Sequence, residues 1–208
     1  GKTVVVSVWG GAKVLLFDAA TLEKRGEVPV GEHPNAMVWS KDAARLFVAC
    51  ANTNKVWVVD MAAMAAKEQI SVALVPNAPP GSTPNGLGLS PDGRRLLVAN
   101  ADNNTVAVVD VGEPGRSVVE GFIPTGWYPT AAQFSRDGSR IYILSGKGLT
   151  SAPNPRGSQA GVPGSGDGQY SGAMLQGSLS ILTVPDAATH PTRPRSTTFA
   201  NPRPTPFR

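Results

Sequence analysis

The sequence predicts an all-β fold: a β-propeller of four-stranded antiparallel blades, of which the chain holds a partial ring of about three to four. A sequence frame recurs at blade spacing, turn residues fall at matching places in each copy, and helical periodicity is nearly absent.

The frame is clearest from Pro84 to Asn100, PNGLGLSPDGRRLLVAN, followed by Asn104-Thr105-Val106-Ala107-Val108-Val109-Asp110. An earlier copy runs from Pro34-Asn35 through Ser40-Lys41-Asp42, Leu46-Phe47-Val48-Ala49 and Lys55-Val56-Trp57-Val58-Val59-Asp60. A later one runs from Pro129-Thr130 through Ser135-Arg136-Asp137-Gly138 and Ile141-Tyr142-Ile143-Leu144, resuming at Gly177-Ser178-Leu179-Ser180-Ile181-Leu182. A truncated copy opens the chain as Val4-Val5-Val6-Ser7 and Lys13-Val14-Leu15-Leu16-Phe17-Asp18. The closing aspartates Asp18, Asp60 and Asp110 lie 42 and 50 residues apart, which is the spacing of propeller blades.

Each copy supplies one blade in order. The run after the proline is the first strand, because proline at a strand start forfeits no ladder hydrogen bond. Asp-Gly or its equivalent makes the tight turn, the Leu-Leu-Val-Ala type run is the second strand, and a polar Asn/Asp loop leads to the third. A looser β-rich stretch forms the fourth and ends in Gly-x-x-Pro, at Gly31 to Pro34, Gly81 to Pro84 and Gly126 to Pro129, where glycine is expected to supply the unusual φ of a sharp turn. Met61 to Lys67 carries the one helical pattern and is expected to form a single-turn connector. By register the chain contains strands two to four of one blade, two whole blades, and strands one to three of a fourth. Gly1-Lys2 aligns with a repeat's turn glycine, as in a chain cut from a longer protein. An open arc leaves strand edges uncovered, so missing blades or a partner chain are expected to close the ring. Residues 1–184 form the blades, with a loop insertion at 146–176, and residues 185–208 form a Pro/Arg-rich tail or linker.

Composition narrows the functional classes. A hydrophobic content of 41% provides a packed core, and 23 glycines with 19 prolines mark a chain that turns often. No apolar run reaches the roughly 18 residues of a membrane-spanning helix. The net charge of +4 is concentrated in the tail, where Arg193, Arg195, Arg203 and Arg208 face one acid, Asp186. The body is nearly neutral and lacks a basic stripe with interleaved aromatics, which argues against nucleic acid as a partner. Cys50 is the only cysteine, which excludes an intrachain disulfide or a cysteine-pair metal site, and its neighbours Phe47, Val48 and Ala49 predict burial.

Strand parity locates a candidate binding face. In an antiparallel blade the second-to-third-strand loop and the connection to the next blade leave from the same edge. That edge gathers Asn52, Asn54, Asn100, Asp102, Asn103 and Asn104 from the loops, and His33, Thr83, Trp127 and Tyr128 from the connections. The insertion leaves from the same edge, adding Lys147 and Tyr170. The binding candidates are His33, Asn100, Asp102, Asn104, Trp127, Tyr128, Lys147 and Tyr170. The insertion carries eight glycines between Gly146 and Gln176 but lacks the Lys-Ser/Thr of a P-loop, so it reads as a flexible docking loop for a neighbouring domain. Asp102-Asn103-Asn104 lacks the glycine and glutamate of an EF-hand. His33 and His190 are the only histidines; His190 sits in the Pro-rich tail and His33 is expected to cap a turn, which argues against a Ser-His-Asp arrangement. No catalytic residue, metal or cofactor is predicted.

Leu97-Val98-Ala99-Asn100, with Ser90-Pro91-Asp92-Gly93 upstream and Val-x-Val-Val-Asp downstream, resembles the YVTN-type β-propeller repeat, in degenerate form at Phe47-Val48-Ala49-Cys50 and Tyr142-Ile143-Leu144-Ser145. The resemblance covers residues 1 to about 184. Gly126-Trp127-Tyr128-Pro129-Thr130-Ala131, followed by Gly146-Lys147-Gly148-Leu149, Pro153-Asn154-Pro155 and Gly177-Ser178-Leu179-Ser180, is similar to the propeller portion of bacterial proteins that join such repeats to an alkaline-phosphatase-like phosphoesterase domain. In those relatives the metal ligands and nucleophile lie in the phosphoesterase part, which this chain does not match. The resemblance implies a non-catalytic binding or scaffolding module in an extracytoplasmic, periplasmic or secreted protein. The alternative is a propeller hydrolase, a lactonase or metal-dependent phosphoesterase, with its site on the loop-rich face. The first-strand runs Asn35 to Ser40, Asn85 to Ser90 and Thr130 to Ser135 hold no Asp, Glu or His, which weighs against that alternative.

Overall fold

A computed structural model describes residues 1–149 and 175–184. Fourteen strands, β1 (Thr3–Val8), β2 (Lys13–Asp18), β3 (Lys24–Pro29), β4 (Pro34–Trp39), β5 (Arg45–Cys50), β6 (Lys55–Asp60), β7 (Ala65–Ser71), β8 (Pro84–Leu89), β9 (Arg95–Asn100), β10 (Thr105–Asp110), β11 (Val118–Pro124), β12 (Pro129–Phe134), β13 (Arg140–Ser145) and β14 (Ser178–Thr183), make up nearly all the regular structure. They pair as four antiparallel sheets in chain order, β1-β2-β3, β4-β5-β6-β7, β8-β9-β10-β11 and β12-β13-β14. This is the all-β partial propeller that the repeat frame predicts, with the truncations at the two end sheets. Asp18, Asp60 and Asp110 close the third strands β2, β6 and β10. Each turns its carboxylate onto the following backbone, accepting from Ala20 and Thr21, from Ala63, and from Gly112 respectively.

The strands are rich in β-branched residues, and those of the interior sheets are apolar on both faces because each sheet is covered on both sides. Sheet one meets sheet two through Val14, Leu16 and Val28 against Leu46, Val48 and Val59. Sheet two meets sheet three through Phe47, Val56, Val58 and Ile70 against Leu96, Val98 and Val109. Sheet three meets sheet four through Leu97, Val106, Val108 and Ile123 against Ile141 and Ile143. Each such side chain, fully buried, contributes about 1.5–3 kcal/mol. At the centre the inner strands come backbone to backbone. A Cβ on Gly86 would lie 2.7 Å from the Thr130 carbonyl, and one on Gly88 would overlap that of Ala132. Gln133 Nε2 ties the same strands by donating to the Leu87 carbonyl at 2.9 Å.

Two local expectations are corrected. Met61 to Lys67 forms no helical turn: Met61–Met64 is a tight turn, with Met64 at φ 46°, and Ala65 already lies in β7. Alternating helical spacing over so few residues cannot outweigh the pairing of β7 with β6. In the Gly-x-x-Pro connections a left-handed φ falls on the residue before the proline, at His33 (54°), Thr83 (49°) and Tyr128 (58°), and of the three glycines Gly81 alone has a positive φ, 154°. Gly31 and Gly126 instead serve close approach. A Cβ on Gly31 would lie 2.5 Å from Trp57 Nε1, and one on Gly126 would overlap the Gly148 carbonyl.

Cys50 is buried as expected, and desolvation pushes its thiol up to about 12, where it is inert as a nucleophile. Among the described residues no helix is long and apolar enough to cross a membrane. The tail and most of the insertion, with Tyr170, lie outside the described residues.

Candidate functional site

The predicted parity holds: each connection between sheets lies against the second-to-third-strand loop of the next sheet, clamped by a pair of backbone hydrogen bonds. Ala51 and Asn52 N–H donate to the His33 and Glu32 carbonyls, Ala101 and Asp102 to Thr83 and Ser82, and Gly146 and Lys147 to Tyr128 and Trp127. The clamp and the following proline hold His33, Thr83 and Tyr128 left-handed, at the rim where the innermost strand begins. For a residue with a Cβ that conformation costs about 1–2 kcal/mol. Thr83, being β-branched, is the most strained of the three. Such strain persists only where the surroundings over-determine it, and it clusters at ligand clamps and active sites.

A second support comes from the preceding sheet. Asn54 and Asn104, each at φ 54°, end the second-to-third-strand loops. Asn54 Oδ1 accepts from Gly81 and Ser82 N–H at 2.8 and 2.7 Å, while its Nδ2 donates to the Pro79 carbonyl at 2.7 Å. Asn104 Oδ1 accepts from Tyr128 N–H at 2.9 Å. Asn104 therefore positions the rim as much as it belongs to it.

Each rim residue carries a different partner. The His33 imidazole stacks on Trp9 with centroids 3.7 Å apart and planes 8° from parallel. The Thr83 hydroxyl donates to the Asp102 carboxylate. Lys147 Nζ lies 4.7 Å from the Tyr128 ring centroid, a cation–π contact. Trp9 and Trp127 are 59% and 46% exposed and offer flat apolar surfaces beside these polar groups. Neighbouring polar pairs are Asn52 with Glu32 at 2.7 Å and Asn103 with the Ser82 hydroxyl at 3.0 Å.

Asn100 does not share this surface. It is fully buried, and its Nδ2 donates to the Val72 carbonyl at 2.9 Å, tying sheet three to the end of sheet two. Its place as the last residue of β9, one position before the loop, turns it inward. The repeat frame does not mark Trp9, because the truncated first copy hides its loop. Its position between β1 and β2, the same loop class as Asn52 and Asn54, was the available signal. Among the described residues no three His, Cys, Asp or Glu side chains converge as metal ligands.

The family model that matches residues 1–148 is described as Lactonase, 7-bladed beta-propeller. Among solved structures, hydrazine synthase of Kuenenia stuttgartiensis is similar at 30% identity and a TM-score of 0.61, over 70% of this chain and 39% of that one. A candidate 6-phosphogluconolactonase from Bacteroides uniformis is similar at 18% identity and a TM-score of 0.61, over 69% of this chain and 44% of that one, a likeness of fold alone. The chain spans less than half the length of either structure. No curated protein matches it.

Proposed function

We propose that this chain, which belongs to the seven-bladed β-propeller lactonase family, is a non-catalytic arc of such a propeller that binds a small ligand across its loop face. The observation that carries the reading is the strained rim. Three equivalent residues hold an unfavourable backbone conformation while bearing three different protic side chains, an imidazole, a hydroxyl and a phenol. A purely structural connection would be served better by glycine at all three places. His33, Asp102, Trp127, Tyr128 and Lys147 are the proposed binding surface, with Trp9 added and Asn104 orienting it, and Tyr170 extends the proposal from the insertion. Exposed indole faces beside imidazole, carboxylate, phenol and ammonium suit a polyhydroxylated ring bearing a negative charge.

Family membership favours a second reading, hydrolysis of a sugar lactone on the same face, with His33 and Tyr128 as the groups able to move protons. Against it, the innermost strands β4, β8 and β12 bring no Asp, Glu or His to the centre. The same experiment separates the two readings. The chain is titrated with 6-phosphoglucono-δ-lactone and with its open acid, following tryptophan fluorescence for binding and acid release for turnover. Saturable quenching without acid release supports the binding module. Acid release above the uncatalysed rate, lost in His33→Ala, replaces it with the hydrolase. No response to either compound overturns both.

The repeat resemblance extends the proposal to an extracytoplasmic setting beside a phosphoesterase domain, with residues 146–176 as the contact to that neighbour. A protein recovered from the cytoplasmic fraction, or a gene encoding no such domain, would remove this part.

A further inference from the structure

The second residue after each second strand stands at one register in three copies, as Asn52, Asp102 and Lys147. Each donates its backbone N–H to the neighbouring connection, to Glu32, Ser82 and Trp127 respectively, so an amide, a carboxylate and an ammonium are presented from the same place on three successive sheets. Two of these heads are engaged by hydrogen bonds within the protein. Asn52 Nδ2 donates to Glu32 Oε2 at 2.7 Å, and Asp102 accepts from the Thr83 hydroxyl. The third is not. Lys147 Nζ rests on the Tyr128 ring, 4.7 Å from its centroid, with no hydrogen bond or ion pair among the described residues. The other lysines of this edge differ: Lys13, which opens β2, pairs with Glu27 at 3.2 Å, and Lys55, which opens β6, donates to Gln69 Oε1 at 2.9 Å. A ring face fixes the place of an ammonium and leaves N–H donors for a further acceptor.

We propose that Lys147, held on the Tyr128 ring, is a subsite for a phosphate monoester carried by the ligand of the rim. The subsite rests on the small-ligand reading above and names the charged group which that reading leaves open. A lysine is a compact point charge whose three donors turn freely, which suits a tetrahedral phosphate approached from any side. A planar carboxylate is matched instead by the fork of an arginine, and no arginine stands in the described loops and connections of this edge. The carboxylates of Glu32 and Asp102 belong to the preceding sheets; like charge keeps a phosphate off them and leaves them to accept from ligand hydroxyls. The ligand is thereby oriented, with its phosphate over Tyr128 at sheet four and its hydroxyls toward Asp102 at sheet three. Tyr128 is a positioning residue. Its left-handed backbone, φ 58°, is clamped through its carbonyl by Gly146 N–H and through its N–H by Asn104 Oδ1, and this holds the ring beneath the ammonium.

The test titrates the full chain with 6-phosphoglucono-δ-lactone, glucono-δ-lactone and gluconate, following tryptophan fluorescence at low and high salt. The phosphorylated lactone is expected to bind about tenfold more tightly than the neutral one, with a preference that shrinks as salt is raised. Lys147→Met and Lys147→Gln keep the backbone clamp, so each is expected to bring the ratio to about one at an unchanged melting temperature. Tyr128→Phe keeps the ring face and is expected to keep the ratio, whereas Tyr128→Leu is expected to lower it. Equal affinity for the two lactones, a preference that survives in both Lys147 variants, or gluconate bound as tightly as the phosphorylated lactone would overturn the phosphate subsite and leave the rim reading in place. A ratio untouched by Tyr128→Leu would remove the positioning role of the ring. A chain that binds neither lactone would remove the rim reading and the subsite together.

Discussion

At one edge of the blades, the turn between first and second strands repeats its backbone and its side chains together; at the opposite edge, the rim repeats only its backbone. In the turns, Ser40, Ser90 and Ser135 donate to Asp42, Asp92 and Asp137 at 2.6, 2.5 and 2.5 Å. The same hydroxyls accept from Arg45, Arg95 and Arg140 N–H at 2.8, 2.8 and 2.9 Å. The rim clamps are equally regular in backbone, yet the held residues are His33, Thr83 and Tyr128 with partners that share no chemistry. A turn that only has to close a hairpin converges on one solution. A rim that repeats an expensive conformation while diversifying its side chains is what the proposed binding face requires.

The sharpest break in this contrast lies in the support beneath the rim. Asn54→Ala leaves the Gly81 and Ser82 N–H groups without their acceptor and is expected to lower unfolding stability by about 2–4 kcal/mol in urea titration. A loss below that of an ordinary surface change would show that the connection does not depend on it. At the turn edge, Ser90→Ala removes one acceptor and one donor and is expected to cost about 1–2 kcal/mol. Ala43 stands at φ 57° where the other two turns have Gly93 and Gly138. Ala43→Gly is therefore expected to stabilise the chain by up to about 1 kcal/mol, seen as a raised urea midpoint.

The turn carboxylates give a smaller, pH-dependent effect. Hydrogen bonds from Ser135, then from the Ser139 backbone and hydroxyl, hold Asp137 down from 3.8 to about 2. Ser40 and Ser90 lower Asp42 and Asp92 in the same way. A depressed folded-state value means that the contribution is complete above the unfolded value and fades as pH falls. Stability is therefore expected to decline between about pH 4 and pH 2, and Asp137→Asn to flatten part of that slope. An unchanged slope in Asp137→Asn would place the acid sensitivity elsewhere.

How much was legible in the sequence follows the same division. The turn edge, the strand register and the truncated end sheets could be read from Ser-x-Asp, the closing aspartates and the apolar runs, because there side chain and backbone carry the same message. The rim could be located by parity but not resolved. Nothing local to His33, Thr83 or Tyr128 announces a left-handed φ, since the clamp that enforces it comes from the next sheet, about 18 residues away in each copy. Asn100 looked like a loop residue because its burial depends on Val72, which is distant in sequence. Trp9 stayed hidden because its pairing with His33 crosses from one copy to the next.

The most direct measurement pairs one substitution at each edge and reads stability and binding together. Thr83→Gly relieves the strained rim position and removes the hydroxyl donor to Asp102, while Ser90→Ala weakens a turn at the opposite edge of the blades. With 6-phosphoglucono-δ-lactone as the probe, Thr83→Gly is expected to hold or raise the melting temperature and lose affinity by about tenfold or more. Ser90→Ala is expected to lower the melting temperature and keep its affinity. Affinity that follows stability at both edges, or that survives in Thr83→Gly, would contradict a rim strained for binding.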